Sequence, residues 1–205
     1  MREIYYIGGS PCSGKSTIAE MLAAEYSFDY YKLDDYLDPH MKLAALEGKS
    51  HSLAALALDF EQMWMRDPKQ QANEELAIYE EILPYALQDI QGMEGDDPII
   101  AEGAGFTPGL MAGLGVGANR YICIVPTEVF QRETYAQRTW IGQFLAGCKD
   151  PDAAFDNWMS RDALFARDVL RQAQKYGYQS IVVDGRQSIK ENCITVANAF
   201  MFLKK

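Results

Sequence analysis

The stretch Gly9-Ser10-Pro11-Cys12-Ser13-Gly14-Lys15-Ser16 decides how the chain folds. Two glycines enclose four residues, and a lysine and a hydroxyl residue follow, which is the G-x-x-x-x-G-K-[ST] spacing. The apolar run Ile4 to Ile7 enters it through Gly8 and reads as a short buried strand. From Lys15 to about Tyr26 a helical period follows, with Ile18, Met21, Leu22 and Tyr26 on one face. Glycine lets the backbone wrap closely enough for its N–H groups to meet phosphate oxygens, and the helix N-terminus adds the positive end of its dipole. In such a cradle Lys15 reaches the β- and γ-phosphates of a nucleoside triphosphate, and Ser16 offers its hydroxyl to Mg²⁺. Gly9, Ser10, Cys12, Ser13, Gly14 and Thr17 complete the expected nucleotide-binding set.

A chain of 205 residues, about half of them apolar, is enough for one α/β domain with an embedded insert. The formal net charge is -10. That surface repels phosphate backbones, so a nucleic-acid partner is not expected, whereas a small anion met in a locally positive pocket is compatible with it. Cys12, Cys123, Cys148 and Cys193 show no paired spacing and there are two histidines, His40 and His51, so a zinc site is not expected and the thiols read as reduced. No signal peptide and no apolar run of about 20 residues is present, which points to a cytoplasmic protein without a membrane partner. Nothing in the sequence indicates an oligomeric state.

Further strands read at Tyr30–Leu33, Pro98–Ala101, Tyr121–Val125 and Ile181–Val183. Between the second and third lies a long helical stretch, residues 36–97, with segments Met41–Leu46, Leu53–Trp64 and Gln70–Ile90, the last kinked at Pro84. A short helix is expected near Leu110–Leu114, a helix from Thr127, a loop around Trp140–Asp150, a long helix over Pro151–Tyr176, and a terminal helix opened by the capping box Ser188-Ile-Lys-Glu191. Strands alternating with helices predict a five-stranded parallel sheet sandwiched by helices. Right-handed crossovers then place the P-loop, Asp34-Asp35, Glu102 and Asp184 at one edge, where ligands bind in such sheets.

No Asn-Lys-x-Asp guanine reader and no Leu-Ser-Gly-Gly-Gln transporter signature is present, which favours ATP and a kinase over a GTPase or a transport ATPase. In its phosphate loop, acidic second-strand end, helical stretch, arginine-bearing segment after strand four and Val-Asp-Gly at strand five, the chain resembles the adenylate-kinase-like and shikimate-kinase-like branch of the P-loop kinases. The resemblance spans most of the chain. It implies a single P-loop kinase domain over residues 1–205, with residues 36–97 as the acceptor-binding insert and about 132–150 as a lid. The run Asp34-Asp35-Tyr36 is similar to the same strand end in polynucleotide kinases and zeta-toxin-type kinases, where the first aspartate maps onto Asp34 as catalytic base. Leu37 stands where those families carry arginine.

Asp35 and Glu102 are candidates to contact the acceptor, Glu102 alternatively holding a magnesium-bound water beside Ser16. The resemblance implies lid arginines, Arg138 first and Arg132 second, that neutralise charge on the transferred phosphoryl group, with Arg167 behind them. Arg161 and Arg167 resemble post-lid arginines, although the stripe Arg167, Arg171 and Lys175 also reads as a solvated helix face. Arg66 is a candidate clamp for an anionic acceptor group, or a helix-end ion pair. Phe60, Trp64, Tyr79 and Tyr85 at helical spacing read as core, with an acceptor-pocket lining as the alternative. Asp184-Gly185 lies where relatives pass the adenine base, and is equally an ordinary turn. The expected activity is Mg²⁺-dependent transfer of the ATP γ-phosphate to an unidentified small acceptor; the alternative is a nucleotide-switched ATPase acting on a protein partner.

Overall fold

The computed structural model describes residues 2–202. Strands β1 (Ile4–Gly9), β2 (Asp29–Lys32), β3 (Ile99–Glu102), β4 (Tyr121–Pro126) and β5 (Gln179–Val183) form one parallel sheet in the order β2-β3-β1-β4-β5. The three inner strands are buried along almost their whole length, which is why they read as continuous apolar runs rather than alternating ones.

Strand alternation divides the core between the two faces of the sheet. Tyr5, Ile7, Ile100, Ile122 and Ile124 pack against helices α1 (Lys15–Tyr26) and α10 (Ile189–Ala199). Tyr6, Ile99, Ala101, Tyr121, Cys123 and Val125 face the other way. Helices α2 (Leu37–Leu46), α5 (Pro68–Gly92), α6 (Pro108–Gly113) and α9 (Pro151–Tyr176) pack on that side, and α3 (Ser50–Leu56), α4 (Phe60–Trp64), α7 (Glu128–Ala136) and α8 (Thr139–Leu145) complete the connections. Helices α5 and α9 lie against each other over the sheet. None of the helices among the described residues is long and apolar enough to cross a membrane.

Three local expectations change. The segment Leu53–Trp64 is two helices, because Asp59 breaks it and caps the second: its carboxylate accepts the Gln62 N–H at 2.7 Å, and the Gln62 side chain accepts the Asp59 N–H. The interval Trp140–Asp150, expected as loop, contains α8, whose Ile141 and Leu145 are one turn apart and buried. Helix α5 runs over Pro68–Gly92, two residues longer at each end than expected, with Pro84 inside it and Ile82, Leu83 and Ala86 buried on its apolar side. Leu145 and Ile141 join a third cluster with Trp64, Tyr135, Trp158 and Met159, which ties the stretch after β2 to the segment after β4. Within it Trp64 and Trp158 stack with ring centroids 4.3 Å apart. Such a pair contributes about 0.5–1.5 kcal/mol beyond the area it buries.

The loop is delivered to the sheet edge by a close backbone approach. A Cβ on Gly9 would lie 1.9 Å from the Ile124 carbonyl oxygen, and Gly9 has φ +123°. A side chain there meets rigid β4 backbone. Gly9→Ala is therefore expected to lower stability by about 1–3 kcal/mol, the usual range for overpacking. A urea midpoint equal to that of the parent chain would refute this account.

Candidate functional site

The phosphate loop leaves β1 with the Ser10 N–H donating to the Ile124 carbonyl at 3.1 Å. Two left-handed residues shape it: Cys12 at φ 62° and Gly14, the α1 N-cap, at φ 80°. A non-glycine residue in that region costs on the order of 1 kcal/mol, a strain that tends to collect at functional sites. Lys15 is buried, and its Nζ donates across the loop to the Ser10 carbonyl at 3.0 Å. The Ser10 and Ser13 hydroxyls are buried without a partner inside the curve, while Thr17 faces solvent.

Glu102 stands beside this loop because of strand register. It pairs with Ile7 of β1 and with Lys32 of β2, so the end of β3 is held between the loop-bearing strand and the second strand. Its side chain is fully buried; Oε1 accepts from the Tyr30 hydroxyl at 3.1 Å and Oε2 has no partner. Burial pushes the carboxyl above its ordinary range. The Lys15 ammonium opposes that rise, nearby Asp34 adds to it, and the Ser16 and Tyr30 hydroxyls oppose it. An orphaned buried carboxylate oxygen beside the Ser16 hydroxyl is a hard oxygen donor set that fits Mg²⁺. Among the described residues no group of three or more His, Cys, Asp or Glu could hold a metal ion.

Asp34 and Asp35 lie on the 3-10 turn Leu33–Tyr36 at the end of β2. They diverge. Asp35 forms a surface pair with Lys32 at 3.2 Å, whereas Asp34 raises the proton affinity of Glu102 beside the loop and of Tyr79 on α5. Asp34 is therefore near both Glu102 and Tyr79, and Tyr79 lines a cavity of about 210 Å³ among α2, α4, α5 and α9. Arg66 and Arg161 both line that cavity. Arg66 is ion-paired to Glu74 at 2.5 Å, and Arg161 to Glu75 at 2.7 Å. Trp64 and Tyr79 serve both readings, being buried core residues that also line the cavity, while Phe60 is exposed and touches Phe144.

The two expected lid arginines also separate. Arg138 lies 4.8 Å from the Tyr135 ring centroid and close enough to the loop to lower the affinity of the Cys12 thiol for its proton, against a larger upward push from burial. Arg132 turns to α9 instead, pairing with Asp156 and lying over Phe155. Arg167 is exposed, and Arg171 pairs with Asp168, in keeping with a solvated face. Asp184 turns back on Arg186, accepting its N–H at 3.0 Å, beside a cavity of about 320 Å³ that also meets Gln187 and Asn192.

Glu75, Asp162 and Tyr30 are the residues that motif reading passed over. Asp162 is fully buried; burial raises its carboxyl above the usual range and Arg161, 2.6 Å away, opposes the rise. No local motif marks them, but helical period does. Asp162 falls one turn from Trp158, Met159, Phe165 and Ala166, and Glu75 one turn from Ala72 and Tyr79, so each is an acid on an apolar stripe.

The raised carboxyl of Glu102 has a thermodynamic consequence. The folded state binds its proton more tightly than the unfolded chain, so this group's contribution falls as pH rises above the ordinary glutamate range of about 4.3 and levels off past the raised value. Glu102→Gln mimics the neutral form. Its Tm is expected to match the parent near about pH 4 and to exceed it at neutral pH, each 1 kcal/mol being worth about 2–4 °C. Equal Tm values at both pH values would show that Glu102 is not proton-hungry.

No protein-family model matches the chain, and no curated protein matches it. Among solved structures, TT1252 from Thermus thermophilus is similar over 97% of this chain and 97% of its own, with a TM-score of 0.52 and 15% identity. Shikimate kinase from Aquifex aeolicus aligns over 98% of this chain and 96% of its own, with a TM-score of 0.43 and 22% identity. At these identities the likeness concerns the fold alone. The glycine loop after β1 and the parallel order β2-β3-β1-β4-β5 make an α/β sandwich, and the likeness to TT1252 is a likeness of that fold.

Proposed function

We propose that this chain is a kinase that transfers the γ-phosphate of ATP to the hydroxyl of a small acceptor held in the cavity between α2, α4, α5 and α9. One observation carries the reading. Buried Lys15 and Glu102 stand beside the complete Gly9–Ser16 loop, and Asp34 lies near both Glu102 and Tyr79, the latter in the wall of a cavity that also bears Arg66 and Arg161.

In the transfer, the acceptor oxygen forms a bond to the γ-phosphorus as the bond from that phosphorus to the β,γ-bridging oxygen breaks. ADP leaves with the electron pair, and the acceptor proton passes to Asp34. Phosphoryl transfer asks little covalent chemistry of a protein, so positioning and charge neutralisation account for most of the effect. Lys15 and Arg138 supply positive charge, Lys15 from the loop and Arg138 from the segment after β4. Ser16 and Glu102 are the residues that would hold Mg²⁺, which would supply charge neutralisation to the phosphates.

Lys15→Ala is expected to lower acceptor-dependent ADP release by about 10²-fold or more, the scale of losing one preorganised charge donor. Unchanged release from a folded variant would refute the assignment. Asp34→Asn is expected to reduce kcat by about 10²–10⁴-fold, as for loss of a general base, with affinity for an ATP analogue retained. Parallel loss of turnover and affinity would make Asp34 structural.

A further inference from the structure

The cavity beside Asp34 carries information about the acceptor's charge. Its apolar walls are Leu37, Met41, Leu58, Met63, Trp64 and Ile78, so the body of the occupant is apolar. Its cations are already committed. Arg66 lies 2.5 Å from Glu74; Arg161 lies 2.7 Å from Glu75 and 2.6 Å from Asp162, whose side chain is 1% exposed. The Tyr79 hydroxyl also donates to Glu75, at 2.9 Å. Three carboxyl groups, Glu74, Glu75 and Asp162, thus stand against two guanidinium groups, Asp162 behind Arg161 rather than in the cavity wall.

An acidic acceptor entering here has to displace a carboxylate from an arginine, which strands that carboxylate in a half-buried site, or else sit beside surplus negative charge. An ammonium group meets the opposite situation. The pairs Arg66–Glu74 and Arg161–Glu75 stay intact, and the surplus carboxyl charge attracts it. The Arg66 Nε–H is buried without a partner and remains as a donor for a neutral oxygen.

The geometry points to an amino alcohol with an apolar body as the acceptor class, and to rejection of alcohols that carry a carboxylate or phosphate. This rests on the kinase reading above, in which the acceptor hydroxyl gives its proton to Asp34 and takes the phosphoryl group from ATP. The cavity acts as a charge filter. Glu74 is its specificity-determining residue, because removing that carboxylate frees Arg66 for an anion.

Three alcohols with one phenylpropyl skeleton test this: phenylalaninol, 3-phenyl-1-propanol and 3-phenyllactate, titrated calorimetrically into protein loaded with a non-hydrolysable ATP analogue and Mg²⁺. The expected order is amine, neutral alcohol, acid, with amine and acid separated by about tenfold or more. In Glu74→Gln that ratio is expected to shrink or invert, with Glu75→Gln as the second variant should the first not fold. Tighter binding of 3-phenyllactate than of phenylalaninol to the parent chain overturns the inference, as does no binding of phenylalaninol at millimolar concentration. Failure of the kinase reading looks different: the amine binds in the expected order, but no ADP forms from ATP with any amino alcohol.

Discussion

A lysine with 6% of its surface exposed and a glutamate with none sit together at the edge of the sheet, and the rest of the site is arranged around that pair. Removing either charge from water costs several kcal/mol unless the other, or a set of hydrogen bonds, compensates it. Compensation requires that the end of β3 lie next to the start of the loop. The parallel register Ile7↔Glu102 provides this, while Gly9 lets β1 run close to Ile124 of β4 on its other side. The pair is not fully balanced, since burial and Asp34 keep the Glu102 carboxyl inclined to hold a proton. An imbalance of this kind is costly for the protein alone and is useful where cations and phosphates are to be bound.

The second organising feature is the aromatic cluster that joins the helices after β2 to those after β4. Trp64, Phe144 and Trp158 stack or meet edge to face, and polar contacts fasten the same junction. The Lys149 N–H donates to Glu61 at 2.8 Å, and Asn157 Nδ2 donates to the Trp64 carbonyl at 3.0 Å. Arg161 lies under this junction, 5.2 Å from the Trp64 ring centroid, while bridging Glu75 and Asp162. The two segments that would carry acceptor and lid therefore share a packed seam. A change in one is transmitted to the other through side chains that have few alternative positions.

The phosphate cradle and the layered sheet were legible in the sequence because both are local. Gly9 to Ser16 depends on spacing within eight residues, and each inner strand declares itself as an apolar run between turn residues. Glu102 and Asp34 could be placed at strand ends for the same reason. The short helix Thr139–Leu145 was not legible, since two turns of apolar spacing do not outweigh flanking glycines, and its stability comes from Trp158 and Tyr135 elsewhere in the chain.

By itself, then, the sequence determined the glycine loop, the parallel sheet and the edge at which they meet, because hydrogen-bond geometry and hydrophobic period act over short separations. Tertiary structure alone decided which charges neutralise one another. Asp35 turns to Lys32, Arg132 to Asp156 and Arg66 to Glu74, leaving Asp34 and Arg138 toward the loop. Ion pairing depends on distances of a few ångströms between residues far apart in the chain, 86 positions in the case of Glu75 and Arg161. No spacing rule along the chain encodes those distances; they follow from how α5 and α9 pack across the sheet.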